Sequence, residues 1–88
     1  EEAVAEANRT PYGLAGYVFT RSLSSAFAVS ERLEVGLVGV NNTVIATPEA
    51  PFGGVKQSGI GRENGPEGIE QYVELKSVLL PFGYTPQL

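Results

Sequence analysis

Two short apolar runs limit what this chain can fold into. LAGYVFT, residues 14–20, and LVGVN, residues 37–41, are dense in β-branched and aromatic side chains and poor in polar ones, as strands covered on both faces are. Between them Ser22 is suited to cap a helix over Leu23–Val35, with Leu23, Ala26, Phe27, Ser30 and Leu33 roughly along one face and Gly36 as its stop. A helix joining two such strands predicts an α/β architecture with a mostly parallel sheet. Two strands cannot hold such a sheet together in water. The other strands are therefore expected from sequence beyond these residues or from another chain. The strands near 15–20 and 37–41 are expected to keep apolar faces that this chain leaves uncovered.

Around that unit, Glu1 to about Arg9 reads as an Ala-rich helix whose acids suit its N-terminal dipole. Thr10-Pro11 ends it, because the residue before a proline is pushed out of the α region. No capping residue precedes it, which predicts a longer parent chain. Pro11-Tyr12-Gly13 is expected to turn. Residues 42–65 show no periodicity, only Gly, Pro, Asn and Ser punctuation, and such a stretch inside a compact domain is usually functional or disordered. Val44, Ile45, Phe52, Val55 and Ile60, spaced through it like anchors, favour function. Pro66 suits the first position of a short helix, PEGIEQY. VELKSVLL, residues 73–80, reads as a strand wet at one end and covered at the other, and a lone terminal strand needs an edge to join. The tail at 81–88 carries two prolines and is expected to run over a surface.

Composition narrows the chemistry. At 88 residues the chain is one domain or less, and a chain of this size buries only about 60 to 65% of its unfolded surface. Six basic against ten acidic residues give a net charge of −4, which argues against nucleic acid as a partner. The chain has no Cys and no His, so thiolate nucleophiles, imidazole bases, disulfides and the usual zinc ligands are excluded within it. Carboxylates, hydroxyls, Lys and Arg remain. No apolar run approaches the roughly 18 residues of a membrane span, so no membrane partner is expected.

The glycine-rich stretch PFGGVKQSGIGREN, residues 51–64, fails as a phosphate cradle. A Walker-type loop needs its lysine directly after a glycine and before Ser or Thr, and Lys56 does not fit that frame. A dinucleotide fingerprint starting at Gly59-Ile60-Gly61 would end on Asn64 and follows a loop instead of a strand. Two readings remain. One is a solvated loop with Lys56 and Arg62 on the surface; the other is backbone pressed close against something, which glycines interleaved with buried-type residues favour.

Asn41, then PFGGVKQSGIGRENG ten residues on, then GIEQYVELKSV, with TPYGLAGYVFT upstream, together resemble the C-terminal end of the NAD(P)-dependent aldehyde dehydrogenase superfamily over about residues 1–80. The resemblance is nearest to its succinate-semialdehyde dehydrogenase branch. It implies a fragment of the α/β catalytic domain at 1–72, an oligomerisation strand at 73–80 and a tail at 81–88. It further implies a parent enzyme that oxidises a small aldehyde to the carboxylic acid with NAD or NADP, through a cysteine thiolate and an activating glutamate. Both groups and the cofactor site would lie upstream of Glu1, so these residues alone would be inactive.

Residue by residue, the resemblance makes Phe52 a wall of the substrate tunnel, with Gly53 and Gly54 structural residues near the site. Glu63 becomes a partly desolvated proton relay to the catalytic base, and Asn41 a holder of loop backbone near the centre. A core phenylalanine, a solvated or Arg-paired acid and a turn residue are the plain alternatives. Arg62 and Glu74 match positions that support the subunit interface, and strand 73–80 implies a homo-oligomer, dimer or tetramer. One departure bears on substrate: the branch places a carboxylate-binding serine where this chain has Ala46, and Ala46 donates no hydrogen bond although Thr47 can. A cytoplasmic location is expected. The rival reading is a free-standing acidic module that self-associates through its last strand and binds a partner with the glycine-rich loop.

Overall fold

The computed structural model describes residues 1–83. Helix α1 (Glu2–Asn8) leads to strand β1 (Tyr12–Gly13) and strand β2 (Ala15–Val18). Helix α2 (Leu23–Arg32) and strand β3 (Leu37–Val40) follow, then strand β4 (Val55–Lys56) and a 3₁₀ helix over Pro66–Tyr72. The Ser22 hydroxyl accepts from Ser25 N–H at 3.2 Å and so caps α2, as the sequence predicts.

Strands β2 and β3 run parallel, with Ala15 opposite Leu37 and Val18 opposite Val40, and α2 is the crossover between them. Asn41 prolongs that pair beyond the strands. Its backbone N–H donates to Val18 C=O at 2.8 Å, and its side-chain amide accepts from Thr20 N–H at 2.9 Å and donates to Thr20 C=O at 3.0 Å. The Asn41 backbone is left-handed, φ 53°, a conformation that asparagine tolerates better than most residues.

Among the described residues the buried apolar side chains are Val4, Ala26 and Leu37, with Gly13, Gly39 and Gly54 buried beside them. Tyr17, Phe19, Leu23, Phe27 and Val40 all keep substantial exposure. The uncovered apolar faces expected on the strands are therefore present at Tyr17, Phe19 and Val40, and α2 likewise buries Ala26 while leaving Leu23 and Phe27 open.

Three expectations need correction. Helix α2 stops at Arg32 instead of Val35, with Leu33 already extended at φ −73°, ψ 130°. The amides beyond it are committed elsewhere: Glu34 N–H donates to Asn8 Oδ1 at 2.8 Å and Gly36 N–H to Gly13 C=O at 3.0 Å. Gly36 is consequently no helix stop. It is a close-approach position, where a Cβ would run into the Gly53 carbonyl.

The Pro11-Tyr12-Gly13 turn is instead strand β1, paired antiparallel with β4 inside the supposedly structureless loop, Tyr12 opposite Lys56 and Gly13 opposite Val55. Two-residue strands carry no period to read. Among the described residues of this single chain, 73–80 pair with no strand. They are exposed, and a ladder needs a free edge that the described residues do not bring to them. The tail beyond Gly83 lies outside the described residues. No described helix is long and apolar enough to cross a membrane.

Candidate functional site

The glycine-rich stretch doubles back on itself. Phe52 and Glu63 exchange both backbone hydrogen bonds, Phe52 N–H to Glu63 C=O at 2.7 Å and Glu63 N–H to Phe52 C=O at 2.8 Å. Inside that bridge the Arg62 guanidinium donates through Nη1 to Gly54 C=O at 2.9 Å and to Gly61 C=O at 2.8 Å, drawing the two limbs together. The glycines are demanded by the crowding. Gly61 sits at φ 87° with the Gln71 amide where a Cβ would stand, and a Cβ on Gly53 would strike the Gly61 carbonyl. Gln71, from the 3₁₀ helix, donates to Arg62 C=O and ties that helix to the loop.

The folded loop forms one side of an open cleft of about 340 Å³, whose lining includes Leu14, Phe52, Ile60, Arg62, Glu63 and Tyr72. Phe52 is half-buried; Glu63 is exposed, since no described residue covers it. The desolvated relay acid that the resemblance implies is therefore not formed by these residues alone. Phe52, Gly53, Gly54, Arg62 and Glu63, expected together, do line one cleft. Asn41, Ala46 and Thr47 do not join it: Asn41 holds Thr20, while Ala46 and Thr47 are exposed in the preceding loop. Glu74 is exposed, and Arg62 forms no ion pair among the described residues.

Sequence reasoning missed the loop's attachments. Lys56 donates through Nζ to Asn8 C=O at 3.0 Å and Thr10 C=O at 3.3 Å, and pairs with Glu34 Oε1 at 2.9 Å. The Ser58 hydroxyl accepts from Gly13 N–H at 2.9 Å, and Gln57 N–H donates to Pro11 C=O at 2.9 Å. No spacing rule flags these contacts, which, apart from the Lys56–Glu34 pair, span more than forty residues.

The three donors of Lys56 are taken by protein oxygens, so Lys56 is not arrayed for a phosphate, and Arg62 spends Nη1 on two backbone carbonyls. No group of three or more carboxylates among the described residues could hold a metal ion.

The elements and the cleft thus define an α/β segment whose glycine-rich loop forms one side of an open cleft. The aldehyde dehydrogenase family matches over residues 1–78, and the chain belongs to that family. It is 57% identical over 76 residues to 4-(hydroxymethyl)benzenesulfonate dehydrogenase of Comamonas testosteroni, covering 86% of this chain and 16% of that one. Mitochondrial succinate-semialdehyde dehydrogenase of Homo sapiens is 54% identical over 78 residues, 89% of this chain and 15% of the other.

Among solved structures, the Mycobacterium tuberculosis aldehyde dehydrogenase complexed with NAD⁺ superposes with a TM-score of 0.84 at 50% identity, covering 96% of this chain and 17% of that one. Succinate-semialdehyde dehydrogenase from Burkholderia pseudomallei gives 0.78 at 49%, covering 81% and 15%. The fold is that of a partial aldehyde dehydrogenase domain, and the chain spans about one sixth of the length of the curated relatives it matches.

Proposed function

We propose that these residues act as the C-terminal part of a longer NAD(P)-dependent enzyme that oxidises an aldehyde bearing an anionic group, a semialdehyde such as succinate semialdehyde, to its carboxylic acid. The observation that carries this reading is the Phe52–Glu63 bridge on the open cleft. It sets an apolar wall and a carboxylate side by side in a chain more than half identical to dehydrogenases named for succinate semialdehyde and for a benzenesulfonate.

Phe52 shields one side of the aldehyde from bulk water. When water attacks the thioester left by oxidation and displaces the cysteine thiolate, the catalytic base takes the water's proton, and the Glu63 carboxylate carries it on to solvent once the rest of the enzyme covers it. NAD or NADP supplies the hydride acceptor and is held by residues outside 1–83. Residues 73–80, apolar and unpaired here, join the edge of a second copy and make the enzyme a homo-oligomer. Ala46 leaves recognition of the anionic end to groups elsewhere in the parent chain.

The intact gene product carrying this sequence, given succinate semialdehyde, a sulfonated benzaldehyde or a neutral aliphatic aldehyde, is expected to form NADH or NADPH fastest with the anionic pair. No aldehyde-dependent reduction would overturn the reading. Glu63→Gln is expected to lower kcat about a hundredfold, the low end for a lost proton-transfer group, and an unchanged kcat would remove Glu63 from the relay.

A further inference from the structure

The geometry points to Lys56 as the positioning residue that fixes the Phe52 wall, an inference that rests on the function proposed above. Lys56 occupies the left-handed region, φ 56°, which a residue with a Cβ seldom enters unless its surroundings hold it there. The hold is visible. An ammonium group has three donors, and here all three have oxygen partners: Asn8 C=O at the end of α1, Thr10 C=O before β1, and the Glu34 carboxylate after α2. The Lys56 side chain is 26% exposed and its Glu34 partner 59%, so water reaches the ion pair and the two carbonyl bonds carry more of the hold.

No slack separates this anchor from Phe52. Val55 is paired with Gly13 across the β1–β4 ladder. A Cβ on Gly54 would stand 2.6 Å from the Ser58 Cβ and 3.1 Å from the Leu14 Cα, and the Gly53 carbonyl abuts Gly36. Backbone packed so closely transmits a displacement instead of absorbing it. A shift at Lys56 therefore reaches Phe52, four residues away, and moves the wall against the aldehyde without touching the reacting atoms.

The test is steady-state kinetics of the intact enzyme, with active sites titrated by single-turnover reduction of NAD(P), comparing wild type with Lys56→Met, Lys56→Arg and Glu34→Gln. Lys56→Met is expected to raise the KM for the aldehyde about tenfold while kcat per titrated site and the KM for NAD(P) stay within about twofold, the signature of lost substrate binding. Lys56→Arg, which keeps the charge and several donors, should recover most of that loss. Glu34→Gln leaves the two carbonyl bonds and should raise the aldehyde KM about twofold.

An unchanged aldehyde KM in Lys56→Met, or a loss confined to the number of titratable sites, would overturn the proposal and leave Lys56 a purely structural lysine. Should Lys56→Met fail to fold, an unchanged aldehyde KM in Glu34→Gln overturns it instead. Wild-type enzyme without aldehyde-dependent activity would instead overturn the functional reading itself.

Discussion

Residues 8–58 and residues 66–80 are similarly rich in apolar side chains, yet only the first region is stitched. There, two short sheets, the Asn41 amide and the Lys56 ammonium connect α1, β1, the end of α2 and the glycine-rich loop across more than forty residues of sequence. The second region hangs from the loop by Gln71, and Leu75, Val78 and Leu79 project into solvent. The pattern LVGV became a strand because LAGYV lay one helical crossover away to pair with it. VELKSVLL has no such neighbour. Apolar alternation supplies the capacity to pair, and pairing itself requires an edge within reach.

Gly36→Val breaks the stitched region most severely. The new side chain must displace the Gly53 carbonyl, and thermal unfolding is expected to show a loss of about 3 kcal/mol, the upper part of the range for overpacking. A smaller effect separates the two regions directly. Leu37→Ala, in the small core, should cost about 2 to 3 kcal/mol. Leu75→Ala, fully exposed here, should cost less than about 0.5 kcal/mol in a single copy.

If residues 73–80 join a second copy, the cost of Leu75→Ala grows with protein concentration while that of Leu37→Ala does not, which denaturant melts at two concentrations will show. A concentration-independent pair of values would return the terminal segment to the status of a plain exposed tail.

The smallest effect lies at the margin of the stitched region. The Arg32 guanidinium, through its hydrogen bond and then its charge, holds the Glu1 carboxyl below its usual value. A lowered folded pKa stabilises the fold above the unfolded pKa, and that stabilisation is lost as pH falls through the folded value. Both side chains are largely exposed, so the contribution is minor. Melting midpoints compared between about pH 6 and pH 3 should fall slightly less steeply in Arg32→Ala than in wild type. An identical slope would assign the acid response to other carboxylates.

Where periodicity and capping carry the information, the sequence was legible. The Ser22 cap, the helix after it and the parallel pair of apolar strands follow from side-chain type and spacing, and they stand where expected. The cleft side chains Phe52, Arg62 and Glu63 were legible through motif resemblance, because their neighbours in the chain are also their neighbours in space. Three features were not legible. The β1–β4 pair is too short to show a period. The early end of α2 is imposed by Asn8, twenty-six residues earlier. The oxygens around Lys56 come from segments that only folding brings together.

What the sequence by itself determined is the local alphabet: which runs can be strands, where a helix begins, and which loop glycines can turn where no other residue can. Those choices depend on sterics and hydrogen bonds within a few residues. Tertiary structure alone decided that the glycine-rich stretch is a folded wall instead of a solvated loop, and that its lysine anchors the loop instead of binding phosphate. Crowding between backbones and the competition of distant oxygens for one ammonium group are set by positions in space, which spacing along the chain does not encode.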